Sequence, residues 1–286
     1  MTEFFRFEEL TWPEVAALPR ATPLLLPLGD GFDLAPLPAG MGYPPRVGLL
    51  PALPFGFPGS GLEIASAIFQ AALRNLLDNL LEDGFGSIFV LAPAGVPLEA
   101  GIPQLTLPGP ARASVLLSGD DLQKVILLPV GHTEQHGHHA PLSTDTLIIE
   151  AIGRGTAAAV PDRAVCLPVT PYGASMHRRS FPGTFNVGGR AFEDYWLAVI
   201  DELVRQGCTR FYLISGHGGN CSFLVNVIKY AGERHPDIFC ATAFLYLSGP
   251  KGITALEKRR QSGIGGMGHA CELETSLVLH LRPELI

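Results

Sequence analysis

Apolar residues along this chain fall into two patterns. Some form short runs bounded by Pro and Gly; others recur every three to four positions over longer stretches. The short runs read as strands: Leu24 to Leu28, Val47 to Leu53, Ser87 to Ala92, Val125 to Val130, Val165 to Pro168, Arg210 to Ser215 and Phe239 to Tyr246. The helical spacing predicts helices over Leu62 to Leu81, Thr144 to Ala159 and Ala191 to Gln206, one opened by His217 and running to about Arg234, and a last one from near His269. A short helix is expected after Thr11 as N-cap, with Pro13 in its first turn. Residues 93 to 119, rich in Pro, Gly and Ala, read as a connector. Strands alternating with helices predict an α/β sandwich, with a mostly parallel sheet flanked by helices on both faces.

The two halves echo one another in order. Leu25-Leu-Pro-Leu-Gly29 parallels Leu127-Leu-Pro-Val-Gly131, and Leu50-Pro-Ala-Leu-Pro-Phe-Gly56 parallels Leu167-Pro-Val-Thr-Pro-Tyr-Gly173. Phe57-Pro-Gly-Ser60 parallels Phe181-Pro-Gly-Thr184, and the Gly84 segment parallels the Gly207 segment. Kept order and spacing favour an internal repeat. Where the second half has Glu134, His136 and His217, the first has Phe32, Leu34 and Ala94. Residues 1–113 are therefore expected to be a shortened, metal-free repeat, and residues 114–286 the catalytic domain.

Composition narrows the classes. Of 286 residues, 47% are hydrophobic and only 16% charged, and the net charge of −7 gives no electrostatic reason to expect nucleic acid or an anionic membrane as partner. Apolar stretches are broken before the roughly 18 residues a membrane span requires. The acidic N-terminus lacks a signal-peptide layout, and five scattered cysteines form no CxxC pair. Reduced thiols and a cytoplasmic location are the expectation. All nine histidines lie at or beyond residue 132 and all cysteines beyond 165, so transition-metal chemistry belongs to the second half.

Beyond Val130 the chain turns sharply polar. Glu134 and His136 are two apart, so in extended backbone both side chains leave on one face, with Asp145 nearby. His217 follows a strand in Ser215-Gly-His-Gly-Gly-Asn220, and His269 and Glu272 are three apart, on one face of the expected helix. Open α/β sheets place ligands at strand ends. Two histidines with three carboxylates suit two oxygen-rich divalent sites bridged by one carboxylate. Rival motifs fail. Gly263-Ile-Gly-Gly-Met-Gly268 follows charged residues rather than a strand, and no ribose-binding acid lies about 20 residues on. No GxSxG nucleophile elbow exists, and Cys271 is not positioned to act with His269.

Pro129 to Asp145, Phe181-Pro-Gly-Thr184, Gly216-His-Gly-Gly-Asn220 and Gly268 to Ser276 together resemble the creatininase (creatinine amidohydrolase) family over about residues 115–286. That resemblance implies a layered α/β fold, frequent homo-oligomerisation, and metal-dependent hydrolysis of a C–N bond in a small amide, cyclic amide, formamide or peptide. The expected class is an amidohydrolase acting on non-peptide C–N bonds. It implies metal ligation by Glu134, His136, Asp145, His217 and Glu272, Asp145 bridging two divalent ions (Zn, Mn or Fe). It assigns proton transfer to His269, with Glu134 also catalytic, and His139 matches the pattern too. His132 and His138 read as loop residues. His177, Gly218, Gly219 and Asn220 are expected to face the substrate. Members acting on creatinine carry tyrosine and glutamate after the metal-binding histidine, where this chain has Gly218-Gly-Asn, and wall the substrate with tryptophan, of which this chain has only Trp12 and Trp196. Creatinine is thus disfavoured, and the HGGN form resembles deformylases and peptide-processing hydrolases. The competing class is a non-catalytic binding or assembly protein that keeps its metal for stability.

Overall fold

All seven apolar runs form strands, and two further strands join them. The computed structural model describes residues 2–107, 113–245, 250–263 and 268–286. The first half contains β1 (Glu3–Arg6), α1 (Trp12–Ala17), β2 (Leu24–Pro27), α2 (Leu37–Gly40), β3 (Arg46–Leu49), α3 (Ser66–Glu82), β4 (Ile88–Pro93) and β5 (Gln104–Leu107). The second contains β6 (Val125–Val130), α4 (Thr144–Ala159), β7 (Ala164–Cys166), α5 (Gly189–Arg205), β8 (Arg210–Ser215), α6 (Cys221–Arg234), β9 (Phe239–Phe244), α7 (Pro250–Glu257) and α8 (Glu272–Leu281).

The strands make two wholly parallel sheets, ordered β1-β3-β2-β4-β5 and β7-β6-β8-β9. Parallel strands covered on both faces are apolar on both faces, which is why β2 and β6 read as near-continuous Leu/Val runs. In register, Leu26 faces Val90 and Leu128 faces Leu213.

Several boundaries differ from the sequence reading. β5 lies inside the expected connector, and α3 begins at Ser66 rather than Leu62 because residues 56–64 form a bonded turn, Gly56 N–H to Leu62 O and Ile64 N–H to Gly56 O. The helix expected from His217 opens as a 3-10 turn over Gly218–Asn220 before α6. Tyr246 and most of the Gly263–Gly268 segment lie outside the described residues. Thr11 and Glu14 form a capping box on α1.

One continuous core joins the halves: Phe7, Phe55, Leu73 and Leu76 from the first, Phe185, Trp196, Ile200 and Phe211 from the second. A side chain this deeply buried contributes about 1.5–3 kcal/mol. Tyr172 Oη donates to Pro51 O at 2.7 Å, Tyr195 Oη donates to Phe55 O at 2.9 Å, and Arg179 pairs with Asp83 at 2.7 Å. At the far edge, Leu142 N–H donates to Leu10 O and Ser143 N–H to Glu8 O, both at 2.9 Å. Trp12 sets its edge against His138 and Phe181. The N-terminal segment thus buttresses the polar loop after β6. Among the described residues no helix is long and apolar enough to cross a membrane, and all five cysteines are free thiols.

Candidate metal centre

Strand ends and helix starts converge on one point. The loop after β6 carries His132, Glu134 and His136; Asp145 is the second residue of α4; His217 follows β8; Glu274 is the third residue of α8. The positive ends of α4 and α8 favour the carboxylates placed there. At Gly216 a Cβ would stand 2.3 Å from Asp145 O, so only glycine lets the end of β8 come this close to α4.

The distances are short. His136 Nε2 lies 3.1 Å from Asp145 Oδ1 and 3.6 Å from Glu274 Oε2. His217 Nδ1 lies 3.0 Å from Glu134 Oε1 and 3.2 Å from Asp145 Oδ2. His269 Nδ1 lies 3.4 Å from Glu134 Oε1. Asp145 therefore turns one oxygen toward each histidine. Three overlapping groups of possible ligands result: His132, Glu134 and His217; Glu134, His136 and His269; His136, Asp145 and Glu274. All but His269 are buried. Glu134 Oε1, Asp145 Oδ2 and His217 Nε2 are buried with no hydrogen-bond partner, a costly state for polar atoms. Close as His217 Nδ1 is to the two oxygens, it is not aligned to satisfy either. Imidazole and carboxylate donors with orphaned lone pairs fit divalent Zn, Mn or Fe.

One expected ligand is displaced. Glu272 is half-buried outside the cluster, and its carboxylate accepts from Gln261 N–H (2.8 Å) and Ser262 N–H (2.7 Å). The chain makes a turn at Ala270 (φ +55°), so α8 starts at Glu272 and His269 lies before it, not on its face. Glu274, whose carboxylate accepts from Ala270 N–H, is the acid that enters the cluster.

Protonation follows from these contacts. Burial would raise Glu134, but His217 outweighs it and holds the carboxyl down at about 2. Asp145 is likewise held far below the usual range, burial being overcome by His136 and His217. Burial opposes charge on His136 and His217 too, yet the facing carboxylates raise them to about 9 and about 10. Burial raises Glu274 to about 7. His136 Nδ1 donates to Glu134 O at 3.0 Å, aiming Nε2 at Asp145. Burial, followed by the charge of His136, lowers His269 to about 4, with Arg178 contributing. His269 Nε2 donates to Gln135 O at 2.6 Å, leaving Nδ1 toward Glu134.

His132, read as a loop residue, is wholly buried in this cluster. Gly173 N–H donates to its Nδ1 at 2.9 Å, which puts the ring proton on Nε2. A neutral ring in that tautomer turns an N–H, not a lone pair, into the cluster, and this buried Nε2 has no hydrogen-bond partner. Burial lowers its pKa to about 3 and keeps it neutral.

A cavity of about 350 Å³ opens over the cluster, lined by Glu134, Asp145, His217, His269 and Glu274 on its polar side. His177 lines it with its ring parallel to His217 at 5.9 Å, and Gly218 and Gly219 form part of its floor. Asn220 does not. It is buried behind, accepting from Ala174 N–H at 2.9 Å and donating to Gly131 O (3.2 Å) and Ser215 Oγ (3.3 Å), so it ties the ends of β6 and β8 together. His139 Nε2 sits 2.9 Å from Thr275 Oγ1 on α8. Phe244, Leu245, Leu273 and Arg178 complete the wall; none of them carried a sequence signature.

The half of the chain that carries the cluster is similar to known proteins. The family model described as creatinine amidohydrolase matches residues 117–286. The mycofactocin precursor peptide peptidase of Mycobacterium ulcerans is 32% identical over 174 residues, covering 56% of this chain and 60% of the relative. The creatinine amidohydrolase of Pseudomonas putida is 31% identical over 174 residues, covering 57% and 66%. A solved mutant creatininase of Zn–Zn type superposes with a TM-score of 0.51 at 30% identity, covering 57% of this chain and 67% of that one. The chain spans 60% of the length of the peptidase relative.

Proposed function

Because the chain belongs to the creatininase family, we propose that it is a metal-dependent hydrolase of a C–N bond in a small amide or peptide. One observation carries this reading: buried carboxylate oxygens of Glu134 and Asp145 face imidazoles with no hydrogen-bond partner of their own. Glu134, Asp145 and His217 would hold one cation, and His136, Asp145 and Glu274 a second, Asp145 bridging. When bound, two such cations supply an activated water and a Lewis acid for the substrate carbonyl. The protein's own part is proton traffic and orientation. His269, its Nε2–H fixed by Gln135 O, keeps Nδ1 unprotonated near neutrality and free to take a proton and return it to the leaving nitrogen. Gly218 meets no atom where its Cβ would be, leaving space beside His217 for substrate. The peptidase relative removes the reason to restrict the reaction to non-peptide bonds.

Chelation should abolish hydrolysis across a panel of formamides, N-acyl amino acids and short peptides, and Zn²⁺ or Mn²⁺ should restore it. Full activity of a metal-free Glu134→Ala protein would overturn the reading. Tight metal binding with no turnover on that panel would favour the non-catalytic alternative.

We also propose that residues 1–113 are a metal-free counterpart of the catalytic half. The orders β3-β2-β4-β5 and β7-β6-β8-β9 correspond. Single parallel bridges extend β2 and β6 alike, Leu28 to Leu53 and Val130 to Thr170. α3 and α5 are each 17 residues long. Both end in the same bonding pattern: Gly84 N–H to Leu81 O and Phe85 N–H to Leu80 O in one, Gly207 N–H to Val204 O and Cys208 N–H to Leu203 O in the other.

A further inference from the structure

Arg178 stands out on the wall of the cavity over the metal centre. Its neighbour Arg179 is fully engaged, with Asp83 at 2.7 Å and Glu82 at 2.9 Å. Among the described residues Arg178 has no carboxylate within ion-pair distance and no hydrogen-bond partner for its buried Nε. Residues outside the described set include no Asp or Glu, so none can supply the missing acid. The site's own carboxylates do not serve either. Glu134, Asp145 and Glu274 are turned toward His217 and His136. The Arg178 Nε–H is the unmet donor of a half-buried guanidinium, and the group whose geometry a guanidinium matches is a carboxylate.

The rest of the wall narrows the ligand. Phe244, Leu245 and Leu273 give it apolar lining, while Gly218, where a Cβ would meet no atom, leaves room beside His217. A monoanion needs only one guanidinium, whereas a dianionic phosphate would also face three acids. Resting on the hydrolase reading above, we infer that Arg178 is a specificity residue that binds a free carboxylate on the substrate, so that the site takes amides of the N-acyl amino acid class with an apolar side chain, including the C-terminal residue of a peptide.

The test uses the metal-loaded full chain with N-acetyl-L-phenylalanine and N-acetyl-L-phenylalaninamide. Acetate release gives kcat/KM, and calorimetry gives Kd. The wild type should favour the free acid by about 10- to 100-fold, the range of a charge-assisted pair. Arg178→Gln should erase that preference, and Arg178→Lys should keep part of it. Equal slowing of acid and amide in Arg178→Gln would assign Arg178 to the transition state and overturn the inference, as would a wild type with no preference in rate or binding. Arg178-dependent binding of the acid without acetate release would sink the hydrolase reading and leave this one standing. Turnover with a preference that survives Arg178→Gln would do the reverse.

Discussion

Each half has its own parallel sheet, and the two differ in what lies above the strand ends. In the second half, the long helices α4, α6 and α8 begin where β6 and β8 run out or just before the site, and each delivers or follows a site residue: Asp145, His217 and Glu274. In the first half, the four-residue α2 stands between β2 and β3, and only turns connect β4 to β5. The helix kept at full length is α3, which packs on α5 and builds the joint core. Phe32 and Leu34, at the positions of Glu134 and His136, pack onto a small cluster of Leu25, Leu37, Val47 and Leu91. Both faces of the first sheet are covered, by the joint core and by the small cluster under α2. The second layer of helices is what turns strand ends into a reactive crevice.

The largest test of this contrast removes the first half. A chain beginning at residue 114 loses the cover over Tyr172, Phe185, Tyr195 and Trp196 and the backbone partners of Leu142 and Ser143. Aggregation is expected, read by light scattering; a soluble, fully active fragment would break the comparison. A smaller effect separates the two acids of α8. Glu274→Gln should weaken binding of a second cation by at least about tenfold, whereas Glu272→Gln should leave metal titrations unchanged. The reverse order would restore the sequence assignment.

The smallest concerns Glu8, on the segment that buttresses the loop. Burial raises its pKa, and its Oε2 has no partner. A carboxyl whose folded pKa is raised contributes stability that is full below its unfolded value, near pH 4, and lost as pH rises through the folded value. Glu8→Gln should therefore raise Tm by roughly a degree or two at pH 7 and by nothing near pH 4. A pH-independent difference would show that its charge is not the cause.

Much of this was legible. β6, α4 and β8 have the bounds read from sequence, because branched apolar runs and a periodic helix are both punctuated by Pro or Gly there. Glu134, His136, Asp145 and His217 are brought together at the strand ends that the alternation predicted. The choice between Glu272 and Glu274 was not legible. It depends on where α8 starts, set by a left-handed Ala270 that no propensity favours. β5 was hidden because Gln104–Leu107 gains its order from pairing with β4, a long-range contact with no local signal. His132 became identifiable as a donor only through Gly173 N–H, and Arg178 only through the partners it lacks.

The two backbone bonds from Leu10 and Glu8 to the loop at Leu142 and Ser143 bear on the order of assembly. Synthesis delivers the acceptor carbonyls long before their donors. The first half can pair its strands while the second is still emerging, and it then offers a fixed edge against which the polar loop is laid down. The candidate ligands, from Glu134 through Glu274, span most of the later chain, so bringing them together requires long-range contacts. In a nascent chain the candidate centre is therefore incomplete until Glu274 has emerged, whereas the carbonyls that hold its loop are present from the start.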